Sequence, residues 1–268
     1  MIFYVKFLKL YAMLIDAHCH LDHLSIESAS AFLEQLSNHS MSYVVTSAAK
    51  SHDWHFYHSL SEKYSNIKVC YGIHPLEISD HWQEELNALE TYVTQGVAIG
   101  EIGLDFHSIF QTENIERMKL QMKIFERQIR LAQKYHLPIV IHCRDAFTIL
   151  KEILIYTKFD LHRAMFHCFV EDVKSVNWIL ENGGFVSYSG ILTFKKPGHT
   201  VETAQLVPLN QILIETDSPY LSPAPHRGKV NSPENVHWIA QKLAEIKNIS
   251  YDECVRVTSE NTRKFFNF

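Results

Sequence analysis

The stretch MLIDAHCHLD, residues 13–22, is a short apolar run that ends in two histidines. A run of that length bounded by polar residues reads as a buried strand. In an open doubly wound sheet, the turn after the first strand carries a glycine-rich phosphate loop. Here HCHLD stands in its place. Seven similar runs follow: YVVTSA (43–48), IKVCYGI (67–73), VAIGEI (97–102), LPIVIH (137–142), RAMFHC (163–168), GFVSYS (184–189) and QILIET (211–216). Between them lie amphipathic stretches at helical spacing, around 26–38, 52–64, 80–95, 113–135, 146–157 and 171–181. Two more helices are expected near 233–247 and 250–265, and the link at 191–210 is irregular. Unbroken strand–helix alternation predicts parallel strands joined by right-handed crossovers. Eight such repeats predict a single α/β domain, the (β/α)8 barrel, which typically takes ~250 residues. The barrel is expected to span residues 13–268. Residues 1–12 read as an N-terminal extension, with Met13 as the natural start.

Composition narrows the function classes. Of 268 residues, 46% are hydrophobic and 21% charged, which excludes a disordered, collagenous or disulfide-scaffold chain. No apolar run approaches the ~18–20 residues that a membrane-spanning helix needs. A net charge of −5 argues against a broad basic surface for clamping duplex nucleic acid. It leaves room for a phosphate-bearing substrate, because bound metal ions supply local positive charge. Five widely spaced cysteines without a CxxC pair suit a reducing cytoplasm. The 17 histidines stand out, and histidine is a common metal ligand and acid–base residue.

The expected strands end in residues that no core would choose. His18 and His20 close the first, Glu101 the fourth, His142 the fifth and His167 the sixth, and Asp217 follows the eighth. In a barrel these ends open onto one face, where the active site lies. Taken alone, each is as readily a satisfied core histidine or a capping carboxylate. Together, four imidazoles and two carboxylates at one rim have the composition of a binuclear divalent-metal site. Residues two apart on a strand share a face, so His18 and His20 point one way and Cys19 the other. The same alternation turns Cys143 and Cys168 away from the site, as small apolar residues and not as zinc ligands.

The motifs IDAHCHLD (15–22), YGIHP (71–75), AIGEIGLD (98–105), PIVIHCRDA (138–146), FHCF (166–169), SYSGILTFKK (187–196), ILIETDSPYL (212–221) and PHRGKVN (225–231) occur in this order. In them the chain resembles the TatD-type deoxyribonucleases, metal-dependent barrel hydrolases of the amidohydrolase superfamily. The resemblance implies two divalent metal ions (magnesium, zinc or manganese) bridged by Glu101. His18, His20 and Asp217 would complete one site, and His142 and His167 the other. It further implies a metal-dependent hydrolase that acts on ester bonds, an exonuclease on single-stranded DNA ends. Two positions depart from the family's pattern: Leu76, where another histidine is frequent, and HCFVED, where a small Ser-Gly pair is common. Both bear on substrate preference.

Metal coordination lowers the pKa of water enough to make a nucleophile at neutral pH. Asp217 is placed to take its proton as general base. Around this centre, His74 is a candidate to orient a phosphate oxygen. Arg144 shares the face of His142 and suits a phosphate contact, with Asp105 as a possible salt-bridge partner. Lys195, Lys196, Arg227 and Lys229 lie on late loops that could meet a nucleic-acid backbone. Glu215, which shares the face of Asp217, and Asp105 are candidates to hold ligand histidines. The expected partner is single-stranded DNA or another phosphodiester, with no membrane and no obligate protein partner. Two other readings stay open: a same-fold ester or amide hydrolase acting on an aminoacyl-tRNA or a small metabolite, and a metal-free binding scaffold.

Overall fold

All eight apolar runs become strands: β1 (Ile15–Cys19), β2 (Tyr43–Ala48), β3 (Ile67–Tyr71), β4 (Ala98–Asp105), β5 (Ile139–Arg144), β6 (Ala164–Phe166), β7 (Phe185–Tyr188) and β8 (Ile212–Ile214). The computed structural model describes residues 14–22, 42–112 and 114–268. The strands lie in sequence order, and every neighbouring pair from β1–β2 to β7–β8 is parallel. Beyond the end of β8 the chain returns to β1: the Asp217 N–H donates to the His18 carbonyl at 3.0 Å, and the His20 N–H donates to the Ser218 carbonyl at 2.8 Å. The sheet therefore curls into a (β/α)8 barrel.

The described helices are α1 (Trp54–Lys63), α2 (Trp82–Tyr92), α3 (His107–Thr112), α4 (Ile115–Tyr135), α5 (Phe147–Thr157), α6 (Val173–Glu181), α7 (Thr200–Leu206), α8 (Val236–Lys247) and α9 (Tyr251–Phe266). Their ends follow local chemistry. The Asn114 side chain caps α4 by accepting from the Arg117 N–H, and the helix stops at a left-handed His136 just before Leu137-Pro138. The Asp172 side chain caps α6 in the same way through the Ser175 N–H. The expected helix at 26–38 and the extension at 1–12 lie outside the described residues. The irregular link at 191–210 contains one short helix, α7, and α3 precedes the long helix as a separate turn. Among the described residues, no helix is long and apolar enough to cross a membrane.

The core has two layers. One residue from each strand (Ala17, Val45, Cys70, Ala98, Val140, Met165, Phe185 and Leu213) packs with Phe265 and Phe266 of α9 into a cluster of its own, the filling of the barrel's lower half. Outward-facing residues such as Val44, Val69, Ile99, Ile141, Phe166, Val186 and Ile214 pack against the helices. Strict alternation from the inner cluster places His142 two residues after Val140 and His167 two after Met165, both inward. It fails for the other two strands that supply the site. From Ala98, alternation would turn Glu101 outward, and from Ala17 it would turn His18 outward. The register slips between Ile99 and Ile102 of β4 and between Asp16 and Cys19 of β1. Each slip brings one extra residue round to the inside, as a bulge does beside an active site. Glu101 accordingly sits in the middle of β4 and not at its end, because the strand continues to Asp105.

Candidate metal centre

Glu101 is 2% exposed and carries five imidazoles around its carboxylate. Its Oε2 faces His18 Nε2 at 3.3 Å and His20 Nε2 at 3.4 Å. Its Oε1 faces His167 Nε2 at 2.7 Å, His142 Nδ1 at 2.8 Å and His74 Nε2 at 3.3 Å. Asp217 closes the first half, with Oδ1 3.5 Å from His20 Nε2 and 3.7 Å from His18 Nε2. Among the described residues, three sets of donor atoms come close enough to hold a cation: His18, His20 and Asp217; His18, Glu101 and His167; and His74, Glu101 and His142. Glu101 is common to the last two.

The far nitrogens of the rings decide which histidines are built as ligands. Ser47 Oγ lies 3.3 Å from His18 Nδ1, Asp105 Oδ2 3.1 Å from His142 Nε2, and Glu215 Oε1 3.4 Å from His167 Nδ1. In a metal-bound centre a carboxylate on the far nitrogen would hold the ring proton there and leave the inward nitrogen of His142 and His167 as a lone pair, the arrangement of metal-ligating histidine, whereas without metal those inward nitrogens donate to Glu101. Ser47 can do the same for His18. His74 is built the other way. The Leu76 N–H donates to its Nδ1 at 3.1 Å, so in the neutral ring Nε2 carries the hydrogen toward the site. His74 is therefore a hydrogen-bond donor in a cluster of acceptors. His18 Nε2 and His20 Nε2 face each other at 3.3 Å, a gap that one proton or one shared cation satisfies. Imidazoles and carboxylates so arranged fit a borderline divalent ion.

A family model for TatD-related DNases matches residues 15–267. The chain belongs to the TatD family. It is 34% identical over 273 residues to a Buchnera aphidicola protein described as an uncharacterized metal-dependent hydrolase, covering 95% of this chain and 99% of that one. It is 32% identical over 259 residues to the Escherichia coli uncharacterized metal-dependent hydrolase YcfH, covering 94% and 95%. Among solved structures, the E. coli TatD homologue YJJV superposes with a TM-score of 0.85 at 26% identity, over 96% of this chain and 99% of that one. This chain is thus a metal-dependent hydrolase with the TatD barrel.

Electrostatics in the TatD centre follow from this packing. Burial opposes ionisation of Glu101, but the charge of His167 and hydrogen bonds from His142 and His167 hold it well below the usual carboxylate range. Asp217 is likewise lowered against its burial, chiefly by His20. Burial would lower His20, yet hydrogen bonds to Asp217 and Glu101 raise it to about 10. His142 and His167 are also raised against burial, the first by Asp105 and Glu101 and the second by Glu101 and Glu215. His74 is lowered, because burial outweighs Glu101, and it stays neutral. Burial pushes the thiols of Cys143 and Cys168 up, so both remain protonated.

The cluster lies in a cavity of about 620 Å3 whose walls include Lys50, Leu76, Arg144, Val170, Ile191 and Tyr220. The outer ring differs from the sequence reading at several points. Asp105 bonds His142 and not Arg144, because β4 runs on past Glu101 and carries Asp105 to the far side of that ring. Arg144 does reach the cavity wall. Lys195, Lys196, Arg227 and Lys229 do not line it. They are exposed, and Arg227 stacks on the Phe194 ring at 3.7 Å. Cys143 and Cys168 belong to the cavity wall, although Cys143 Sγ turns toward Glu171 at 3.9 Å and Cys168 Sγ toward Ser189 Oγ at 3.1 Å. At Cys168 the strand has already ended and φ is 46°, so alternation no longer governs it. Lys50, Tyr220, Ser47 and Ser187, whose hydroxyl donates to Glu215 Oε2 at 2.5 Å, were missed by sequence reasoning. Lys50 lies two residues past the end of β2, and the rule that sites lie at the strand ends of a barrel would have found it.

Proposed function

We propose that this protein is a metal-dependent deoxyribonuclease that hydrolyses phosphodiesters at the ends of single-stranded DNA, with two divalent ions held at Glu101. The observation that carries this reading is the donor set: ligand-poised His18, His20, His142 and His167 around Glu101 and Asp217, in a cavity flanked by Lys50 and Arg144. His18, His20 and Asp217 would hold one ion and His142 and His167 the other. Bound there, the ions would supply Lewis-acid charge and acidify an attacking water.

The protein's own groups do the rest. Asp217, kept ionised, accepts the proton as the water oxygen bonds to phosphorus and the P–O ester bond breaks. The departing oxygen takes a proton from solvent. Neutral His74 donates its Nε2–H to a phosphoryl oxygen, and Lys50 and Arg144 pair with phosphate charge. Leu76, Val170 and Tyr220, exposed at the mouth, offer surfaces on which unstacked bases can rest. Lys195, Lys196, Arg227 and Lys229 would meet only a strand that extends beyond the cavity.

The test is incubation of metal-loaded protein with end-labelled single-stranded DNA, beside His142→Ala and Asp217→Asn, with and without chelator. Stepwise shortening that needs metal and His142 is expected, with kcat in Asp217→Asn lower by about 10²–10⁴. Full activity of Asp217→Asn would refute the base assignment.

One observation favours a second reading. A cavity of about 600 Å3 shares Val170 with the metal cavity, and its walls include Phe106, Phe147, Asp145, Glu171 and Asp172. Carboxylates there suit an ammonium group better than a second phosphate, which supports an ester on an aminoacyl-tRNA or a small metabolite. Salt separates DNA from a small ester, because hydrolysis along a phosphate backbone weakens steeply as salt rises and hydrolysis of a small ester does not; an aminoacyl-tRNA, itself a polyanion, is told apart by assaying release of the amino acid directly.

A further inference from the structure

We propose that Asp16 and Thr216 form a positioning relay that fixes Asp217 relative to His18. The inference rests on the reading that His18, His20 and Asp217 hold a metal. β8 ends at Ile214, and beyond it backbone bonds tie this segment to β1, the Asp217 N–H to the His18 carbonyl and the His20 N–H to the Ser218 carbonyl. Asp217 also adopts φ 54°, a left-handed conformation that side-chain-bearing residues disfavour. Side-chain bonds reinforce those backbone contacts.

Asp16 is fully buried and lies 200 residues away in sequence. Its Oδ1 accepts the His18 N–H at 3.2 Å and the Thr216 N–H at 2.9 Å. Its Oδ2 accepts the Thr216 hydroxyl at 2.5 Å. That hydroxyl oxygen in turn accepts the Ser218 N–H at 3.1 Å. The chain from Ser218 through Thr216 to Asp16 therefore spans Asp217 on both sides, and the same carboxylate grips the backbone of His18. A clasp that merely closed the barrel would need only the bond to the Thr216 N–H. The additional hydroxyl link acts across the residue whose carboxylate faces His18 and His20. Neither Asp16 nor Thr216 offers an atom to the cluster, so their effect is on position. Groups that orient ligands in this way typically change metal affinity by 10–100-fold.

The experiment measures Mn2+ affinity by chelator competition, together with thermal unfolding, for the full-length protein and four variants. Thr216→Val removes the hydroxyl, and Thr216→Ser keeps it. Asp16→Asn turns an acceptor into a donor at Oδ2. Thr258→Val removes an equally buried hydroxyl in α9, one that donates to the Cys254 carbonyl at 2.8 Å, and serves as the control for lost stability. We expect a 10–100-fold loss of affinity in Thr216→Val and Asp16→Asn, and retention within about threefold in Thr216→Ser and Thr258→Val. Affinity in Thr216→Val equal to that in Thr258→Val would overturn the proposal. If Thr216→Val does not fold, Asp16→Asn decides by the same criterion. If neither folds, the pair is a barrel clasp and the proposal fails. Wild-type protein that binds no Mn2+ would instead refute the metal reading beneath it, a result distinct from wild type and variants binding equally well.

Discussion

At the scale of single residues, the centre is defined by where protons sit on imidazoles. His18, His20, His142 and His167 are visible in the sequence as histidines at or near strand ends, but their tautomers are not. His74 shows the difference. It stands in YGIHP as one more histidine, and only the Leu76 N–H on its Nδ1 makes it a donor and sets it apart from the candidate ligands. Asp105 makes the converse prediction possible. In Asp105→Asn, the amide nitrogen would face His142 Nε2, force the ring proton onto Nδ1 and block the inward lone pair. Metal affinity should fall 10–100-fold while unfolding changes little, which isothermal titration with Mn2+ or Zn2+ beside thermal unfolding would show. Unchanged affinity would mean that Asp105 does not set the tautomer. On the proposed nuclease reading, replacement of His74 by Ala should raise KM for single-stranded DNA with metal affinity intact, because it would remove a donor to substrate and not a metal ligand.

At the scale of elements, the barrel's site depends on how β4 meets β5. Gly103 pairs with His142 and has φ 148°, and a Cβ there would lie 1.9 Å from the His142 carbonyl oxygen. No flexible side chain can move aside, because the obstacle is backbone. Gly103→Ala must push β5 away or twist β4, and either shift carries His142 off Glu101. We expect a loss of about 1–3 kcal/mol or more in urea unfolding, with weakened metal binding. A stability within 0.5 kcal/mol of wild type, the usual range for an uneventful surface change, would contradict this packing argument. The existence and type of the eight strands were legible because each is a short apolar run bounded by polar residues. The slips in β1 and β4 were not, because a bulge leaves the composition of a strand untouched while changing which face its last residues take.

At the scale of the whole molecule, the centre stores a proton-dependent contribution to stability. In chelator-stripped protein His20 is raised to about 10, and His142 and His167 are raised as well. A histidine raised on folding adds stability that is fully present below its unfolded pKa of ~6.5 and is lost as pH climbs through the folded value. Glu101 and Asp217 are lowered, so their contribution is present above the ordinary carboxylate range and is lost as pH falls through their folded values. The stripped protein should therefore melt at a progressively lower temperature between pH 7 and about 10. A flat melting temperature over that interval would show that these protons are not held. Metal must displace the same protons, so its apparent affinity should rise with pH, with proton release detectable by titration in buffers of different ionisation enthalpy.

The barrel, its strand order and most of the residues at its mouth were written in the sequence. Hydrophobic periodicity marks each element, and right-handed parallel crossovers leave few ways to arrange eight of them. The sequence also singled out Glu215 by its place two residues before Asp217, and its Oε1 lies 3.4 Å from His167 Nδ1. Tertiary structure decided what local pattern cannot carry. It turned Glu101 and His18 inward through slipped registers, gave Asp105 to His142, left Arg227 stacked on Phe194 away from the cavity, and joined Asp16 to Thr216 across 200 residues. These are contacts between distant segments, and a side chain's partner there depends on where the backbones meet and not on what stands next to it in the chain.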